Sequence, residues 1–243
     1  TDDGGANITT RGVCYSINTN PTTADNITND GNGTGSFTSN LSGLTASTTY
    51  YLRAYATNNV GTAYGNELSF TTSAALAIGD DYQGGIIFYL DGNGGGLIAA
   101  PTDFGHYWGC FGTNFISSYL GNVTELGTVI GTGNQNTINI VAACTSSNTA
   151  ADICANSTLN GYSDWFLPSN DELWRMYQNI GSGNALGLGN VGGFNTGGGT
   201  NMLYWSSTAG GADGAYCAAF GDGPGFYFRS RNNVYSVRAV RAF

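Results

Sequence analysis

The stretch TTYYLRAYATN, residues 48–58, decides the fold of the first part of the chain, because its side chains alternate with the period of a β-strand. Tyr51, Arg53 and Tyr55 fall on one face of such a strand, and residues 50, 52, 54 and 56 fall on the other. Further β-rich runs surround it: GVCYSI (12–17), GSFTSNL (35–41) and NELSFTT (66–72). Turn-forming Gly, Asn, Asp and Thr residues separate these runs, and no helical period interrupts them. Residues 1–72 are therefore predicted to be β throughout.

A second, longer domain is predicted over residues 80–243, after a short link at 73–79. Its first strands, GGIIFYL and GGLIAA, are joined by the turn DGNGG. Its clearest helix is SNDELWRMYQNIG (169–181), in which Ser169 is the N-cap, Glu172 completes a capping box and Gly181 ends the helix. Another helix is predicted within NTINIVAAC (136–144). The remaining strands are bounded by glycine turns: LYWSST, GAYCAAF, GFYFRS and VYSVRAVRAF.

The charge inventory excludes several classes of partner. Only 9% of the 243 residues are charged, the net charge is −9, and every basic side chain is an arginine. Nucleic acid is not an expected partner, because phosphate binding needs clustered Lys and Arg. No apolar run approaches the ~18 residues of a membrane helix, so membrane insertion is not expected either. A surface rich in Asn, Thr, Ser and Gly suits packing against copies of itself or against sugars, unless it reflects a compositional bias of the lineage.

The cysteines offer candidate disulfides, and the Asn-x-Ser/Thr sequons offer candidate glycosylation sites. A disulfide between Cys144 and Cys154 is predicted across the short loop TSSNTAADI, and Cys110 with Cys217 is the second candidate pair. Cys14 lies in an apolar strand pattern and is predicted to be a buried free thiol. The chain begins without a basic, apolar signal segment, so we expect any signal to have been removed or to lie upstream. Possible glycosylation sites, many of them expected by chance in so Asn- and Thr-rich a chain, are Asn7, Asn26, Asn32, Asn40, Asn122 and Asn156.

The sequence offers little for catalysis. His106 is the only histidine, and Cys110 follows four residues later, so a Cys–His nucleophile pair is conceivable. No third orienting group is recognisable, and the expected interpretation is an ordinary loop histidine beside a packed or bridged cysteine. Glu172 is already assigned to helix capping, which leaves few carboxylates for a glycosidase pair. We therefore expect no enzymatic activity.

No cofactor is expected. Asp80, Asp81 and Asp91 flank a turn-rich strand pair and supply oxygen ligands of the kind that calcium prefers, but no EF-hand loop is present. A solvated acidic turn is the simpler interpretation. The Gly-rich segment 181–199 follows a helix and lacks the lysine of a P-loop, so it is predicted to be a surface loop.

Residues 1–72 resemble the fibronectin type III-like repeats of bacterial surface proteins. The resemblance is carried by RGVCYS, NPTTAD, GTGSFTSNLSGLTASTTYYLRAYATN and GTAYGNELSFTT. It implies an immunoglobulin-like β-sandwich. Members of the family begin with one or two strands before the TDDGGA stretch, so the sandwich is expected to lack its first strand or strands. Such a sandwich exposes an unpaired edge and a strip of core.

Residues 79–243 are similar to bacterial C-type-lectin-like domains, and in particular to the C-terminal domain of collagen-like adhesins. The similarity is carried by GDDYQGGIIFYLD, GYSDWFLPSNDELWRMY, YWSST and VRAVRAF. It implies an α+β domain with looped-out terminal strands and a long irregular region. The Glu-Pro-Asn, Gln-Pro-Asp and Trp-Asn-Asp motifs of calcium-dependent lectins do not occur, so calcium-dependent sugar binding is not expected. Formylglycine-generating oxidases share a related fold but need a cysteine pair where this chain has Cys217 alone.

A candidate ligand surface lies near the C-terminus, where aromatic rings alternate with Asn and Arg donors. Its predicted members are Tyr216, Tyr227, Arg229, Arg231, Asn232, Asn233 and Tyr235. In a regular strand Tyr227, Arg229, Arg231 and Asn233 share one face. Two functions follow from the sequence. The first is a structural or adhesive surface protein that self-associates into a filament or layer by completing the sandwich with a strand from a neighbouring copy. The alternative is a monomeric adhesin head whose aromatic surface binds surface glycans or host or neighbour proteins.

Overall fold

The chain folds into two units, Thr1–Leu76 (unit 1) and Ala77–Phe243 (unit 2). The computed structural model describes residues 5–112, 126–221 and 225–243, without the side chain of Asn201. Antiparallel sheets dominate both units, and the helices are confined to unit 2 within the described residues. The predicted fold class, mostly β with a small helical part, is confirmed.

The described strands of unit 1 form a single sheet. They are β1 (Thr10–Ser16), β2 (Asn26–Ile27), β3 (Thr49–Thr57), β4 (Thr62–Tyr64) and β5 (Leu68–Thr71). The order is β2-β1-β3-β4, and β5 pairs with the first half of β3. Every pair is antiparallel. The alternating stretch 48–58 is thus the central strand, and the described residues contribute no second sheet to unit 1.

The described residues of unit 2 form two sheets and three helices. Its strands are β6 (Asp81–Tyr82), β7 (Gly85–Leu90), β8 (Gly96–Ala99), β9 (Phe104–Tyr107), β10 (Leu203–Gly210), β11 (Gly214–Ala219), β12 (Gly225–Ser230), β13 (Val234–Val237) and β14 (Val240–Ala242). Its helices are α1 (Gly133–Ala143), α2 (Ala150–Ala155), α3 (Asn170–Ile180) and a short 3-10 turn, Gly199–Met202. One sheet has the order β12-β11-β10-β13-β9 and the other β14-β8-β7-β6. The last strand, β14, therefore closes the sheet that the first strands of the unit begin.

Helix α3 confirms the capping prediction. Ser169 is the N-cap, its hydroxyl accepts the Glu172 N–H, and the Glu172 carboxylate accepts the Ser169 N–H at 2.7 Å. The apolar side of the helix packs into the core of unit 2 through Leu173, Met176 and Ile180. Gly181 follows the last turn and donates its N–H to the carbonyl of Tyr177.

The Glu172 carboxylate also connects α3 to α1. It is fully buried and accepts a second hydrogen bond of 2.7 Å from the Gly131 N–H, just before α1 begins. Burial raises the pKa of Glu172, and the N–H donors of Ser169, Gly131 and Gly133 oppose that rise because they stabilise the ionised form. One side chain thus caps a helix and fixes the entry to another.

Replacing Glu172 by Gln should lower the free energy of unfolding by about 2 kcal/mol, because the amide turns an N–H group towards one of the buried donors that the carboxylate now satisfies. Asp171→Asn is the matched control: it removes a carboxylate from the same helical turn and should cost no more than about 0.5 kcal/mol. Chemical denaturation followed by tryptophan fluorescence measures both. Equal stabilities for the two variants would contradict the role given to the buried carboxylate.

The disulfide differs from both predicted pairs. Cys110 is bonded to Cys144, with Cα atoms 5.7 Å apart, while Cys154 and Cys217 are buried free thiols. The predicted Cys144–Cys154 bond is wrong because residues 150–155 form α2, whose buried side includes Cys154. The predicted Cys110–Cys217 bond is wrong because Cys110 is bonded to Cys144, which leaves Cys217 as a fully buried free thiol within β11. The prediction that Cys14 is a buried free thiol is confirmed.

Candidate functional site

One face of the unit 1 sheet is apolar and incompletely covered. Val13 pairs with Ala54 across β1 and β3, and Leu52 pairs with Leu68 across β3 and β5. Because directly paired residues and residues two apart point to the same side, these four side chains form one surface, which we call the open face. Leu68 remains 66% exposed. Among the described residues of unit 1, the buried apolar side chains are Cys14, Pro21, Tyr50 and Tyr55.

A strand-like segment lies opposite the open face without a strand partner. Along residues 36–41 the side chains alternate between exposed and half-buried, which is the period of a β-strand. Phe37, Ser39 and Leu41 are the half-buried ones, and with the open face they line a groove of about 410 Å³. No backbone–backbone hydrogen bond to this segment occurs within the described residues. The predicted strand GSFTSNL therefore has the side-chain alternation of a strand, but it belongs to no sheet, because no neighbouring strand of the described residues hydrogen-bonds to it.

Side chains fix the segment at both ends. The Arg11 guanidinium donates to the carbonyls of Gly33 and Gly35 at 3.1 and 3.4 Å and lies 5.1 Å from the Phe37 ring centre. At the other end, the Tyr50 hydroxyl accepts the Thr45 N–H at 3.1 Å. These contacts position both ends of the segment, and the backbone of residues 36–41 between them makes no backbone–backbone hydrogen bond with the described part of the chain.

The predicted C-terminal surface is only partly assembled. Tyr227 and Arg229 do share one face of β12, and the guanidinium lies 4.7 Å from the tyrosine ring centre. Tyr216 lies on the opposite face, because it pairs with Phe228, and their ring centres are 5.1 Å apart. Tyr235 is buried, with its ring centre 4.7 Å from that of Trp205 in the core.

Arg231 is the main correction to that surface. The strand ends at Ser230, so Arg231 turns inward and is fully buried. Its guanidinium donates to the carbonyls of Gly211 and Gly214 at 2.8 and 3.1 Å and lies 4.5 Å from the Trp108 ring centre. Burial lowers the pKa of Arg231 to about 10, and the nearby carboxylate of Asp213 opposes that change. Arg231 therefore holds the fold together and is not available to a ligand.

The turn after Arg231 separates the two asparagines from the strand face. Asn232 is exposed, and its side-chain oxygen accepts a hydrogen bond of 2.7 Å from the Ser230 hydroxyl. Asn233 is half-buried and donates to the Tyr235 hydroxyl at 3.0 Å. Both asparagine side chains make their hydrogen bonds around the turn. Of the predicted surface residues, only Tyr227 and Arg229 share a partly exposed strand face as expected.

The catalytic and metal candidates are engaged elsewhere. The Cys110 thiol is consumed in the disulfide, so it cannot form a nucleophile pair with His106. The Asp80 carboxylate accepts the Ala77 N–H, and that of Asp91 accepts the N–H groups of Asn93 and Gly95. Within the described ranges, no cluster of three or more His, Cys, Asp or Glu side chains has the arrangement of a metal site. No helix in those ranges is long and apolar enough to span a bilayer.

The possible glycosylation sites of the described residues lie at the surface. The exposed ones are Asn7, Asn26, Asn32, Asn40 and Asn156, whereas Asn122 lies outside the described residues. Asn40 belongs to the unpaired segment, with its side chain turned away from the groove. Whether these asparagines carry sugars stays a prediction.

These features define a mostly β protein with a small helical part and one disulfide within the described residues. No protein-family model matches the chain, and no curated protein matches its sequence. Among solved structures it is similar to a fimbrial protein from Bacteroides ovatus, with a TM-score of 0.47 and 11% identity. The similarity covers 80% of this chain and 57% of that one, so this chain spans a little over half of the fimbrial protein's length.

Proposed function

We propose that this protein is a non-catalytic, extracellular structural or adhesive surface protein that self-associates by strand complementation. In this proposal the groove of unit 1 receives a β-strand from another copy. The donor strand pairs with the open backbone of residues 36–41 and buries its apolar side chains against Val13, Leu52 and Leu68. One observation carries the proposal: a strand-like segment without a strand partner faces an uncovered apolar sheet face.

The domain arrangement is part of the same proposal. It comprises a fibronectin type III-like domain at 1–72, a link at 73–79 and a C-type-lectin-like domain at 80–243. One finding supports it: the last strand β14 pairs with β8 near the start of unit 2, as looped-out terminal strands require. The disulfide and the absence of lysine support an extracellular, surface-exposed setting.

Physical chemistry favours filling the groove. A long, flat, apolar strand edge is a pairing template, and natural proteins cover or charge such edges. A donor strand would satisfy the backbone groups of 36–41 and remove apolar area from water, which stabilises the complex by about 25 cal/mol per Å². Because the donor comes from a different part of the next copy, the contact is heterologous and extends into a filament or layer instead of closing as a dimer.

The test is a charge placed in the groove. Leu68→Glu puts a carboxylate on the open face, and Val60→Glu is its matched control, since Val60 is 81% exposed and outside the groove lining. We expect the wild type and Val60→Glu to assemble in sedimentation and electron microscopy, with the amides of 36–41 protected from hydrogen exchange. Leu68→Glu should form no filaments or layers, and those amides should exchange freely. A monomeric wild type with unprotected amides at high concentration would refute the proposal.

A further inference from the structure

A second unpaired edge lies in unit 2, at the end of the sheet β12-β11-β10-β13-β9. Strand β12 pairs with β11 on one side, and no strand of the described ranges pairs with its other side. The exposed aromatic residues Phe226 and Phe228 lie along it, and Phe228 is 50% exposed. Of the charged residues and prolines that usually guard such an edge, the strand Gly225–Ser230 carries Arg229 alone.

The backbone register of this edge can be read from the contacts of β12. The Arg231 backbone N–H donates to the Asp213 backbone carbonyl, and the Tyr227 carbonyl lies 3.5 Å from the Cys217 sulfur. The odd-numbered residues of β12 therefore turn their backbone groups towards β11. The even-numbered residues 226, 228 and 230 then turn theirs outward, since hydrogen-bonded and non-hydrogen-bonded positions alternate in antiparallel pairs. The Arg229 guanidinium contacts the Phe228 carbonyl at 3.2 Å, which agrees with that direction.

We propose that β12 is a self-pairing edge, through which two copies of the chain join by antiparallel β12–β12 pairing about a two-fold axis at Phe228. In this register Phe228 faces Phe228 of the second copy, and Phe226 faces Ser230 of the second copy. All these residues have outward backbone groups, so the pairing forms a regular hydrogen-bonded ladder.

The side chains fit a second copy in the same register. On one face Tyr227 lies opposite Arg229 of the second copy, so each guanidinium meets a tyrosine ring and not the other guanidinium. This extends between molecules the cation–π contact that already exists within one chain at 4.7 Å. On the other face the two Phe228 rings meet beside Tyr216, so apolar area that is now exposed becomes covered. A two-fold axis needs a self-complementary strip, and this strand provides one.

The contact buries little surface, because a six-residue strand is small for a permanent interface. It therefore suits molecules that are already held together at high local concentration, as in a surface layer. The Arg229 guanidinium, which covers the Phe228 carbonyl in the single chain, has to move to the ring of the second copy. The pairing is independent of the unit 1 groove, and it joins copies laterally whether or not strand complementation occurs.

Cysteine cross-linking tests the register. Phe226→Cys and Ser230→Cys are prepared separately, in the Leu68→Glu background so that assembly through unit 1 does not contribute. Directly opposed residues of a hydrogen-bonded pair have Cα atoms about 5.5 Å apart, which suits a disulfide. Mild oxidation of the mixture should give covalent dimers at least tenfold above either variant alone. Equal dimer in a single variant, or none in the mixture, overturns the proposal.

Phe228→Lys tests the same edge without a cross-link. Two lysines directly opposite each other repel, so the dimer dissociation constant measured by sedimentation should rise at least tenfold. Val234→Lys is the matched control, since Val234 is an exposed apolar residue of β13, whose strand is paired on both sides. Both variants are made in the Leu68→Glu background, and Val234→Lys should dimerise with the same dissociation constant as Leu68→Glu alone. An unchanged dissociation constant in Phe228→Lys, with a cooperative melt like the parent's, also overturns the proposal.

Discussion

Replacing Arg231 with Met should lower the free energy of unfolding of unit 2 by about 3 kcal/mol, because the carbonyl groups that the guanidinium contacts lose their hydrogen-bond donor. The guanidinium is fully buried and donates to the carbonyls of Gly211, Ala212 and Gly214. Methionine fills a similar volume but donates no hydrogen bond. The buried Gly214 carbonyl then loses this donor, which costs about 1–3 kcal/mol, and the partly buried contacts to Gly211 and Ala212 are lost as well.

The geometry explains why the loss is not compensated locally. The Arg231 carbonyl accepts the N–H groups of Trp108 and Gly109, and the Arg231 N–H donates to Asp213. One residue therefore ties the end of β12 to the β10–β11 turn and to the chain that follows β9. A methionine retains these backbone bonds, but the carbonyls that the guanidinium gathers are then free to separate.

Arg229→Met is the control, two residues away on the same strand. Arg229 is half-exposed, with contacts to the Phe228 carbonyl and the Tyr227 ring, so its loss should change stability by less than about 0.5 kcal/mol. Guanidinium denaturation followed by tryptophan fluorescence is a suitable measurement, because Trp108, Trp165, Trp174 and Trp205 all belong to unit 2. Comparable stabilities of the two variants would show that the buried Arg231 guanidinium contributes no more to the stability of unit 2 than Arg229 does.

Local signals in the sequence predicted local structure well. The capping box of Ser169 and Glu172 acts within one helical turn, so the spacing of three residues between them was enough to place the start of α3. The alternation of residues 48–58 likewise depends on the strand alone, and β3 covers Thr49–Thr57 of that stretch.

Long-range contacts were not readable from the sequence. Alternation placed Arg231 on the exposed face of β12, but the strand ends one residue earlier, and the partners that bury its charge come from the β10–β11 turn and the β9 region. Arg238 and Arg241 are also buried, each paired with an aspartate. A count of arginines could not distinguish these interior cations from surface ones.

The groove residues were missed as a site for a related reason. Phe37, Leu41, Leu52 and Leu68 follow an ordinary core pattern, and a core residue differs from an open one only by what lies across from it. The available signal was the number of strands: the runs in residues 1–72 supply one sheet and a single extra strand. That count, together with the resemblance to a repeat with further strands, predicted an exposed strip but did not locate it.

Removing the disulfide with the double variant Cys110→Ala, Cys144→Ala should lower the free energy of unfolding by about 3–4 kcal/mol, the loop-closure term for a separation of 34 residues. For a unit of this size the melting temperature should fall by about 10 °C. The bond joins the chain after β9 to the end of α1, so without it the unfolded ensemble gains the freedom of the whole intervening segment. Differential scanning calorimetry with and without dithiothreitol measures the effect.

Variants of the free cysteines distinguish the Cys110–Cys144 bond from the alternative pairing of Cys144 with Cys154. Cys154→Ala and Cys217→Ala each remove a fully buried sulfur and should lower stability modestly, while both variants keep the full response to dithiothreitol. The double variant should show no further response, because its only bridge is already gone. Burial raises the pKa of the Cys217 thiol to about 12, so it stays protonated and is a poor participant in exchange during the measurement. If Cys154→Ala instead abolished the dithiothreitol response, the pairing would be the short-loop bond between Cys144 and Cys154, and α2 could not form as described, because its buried side depends on a free Cys154.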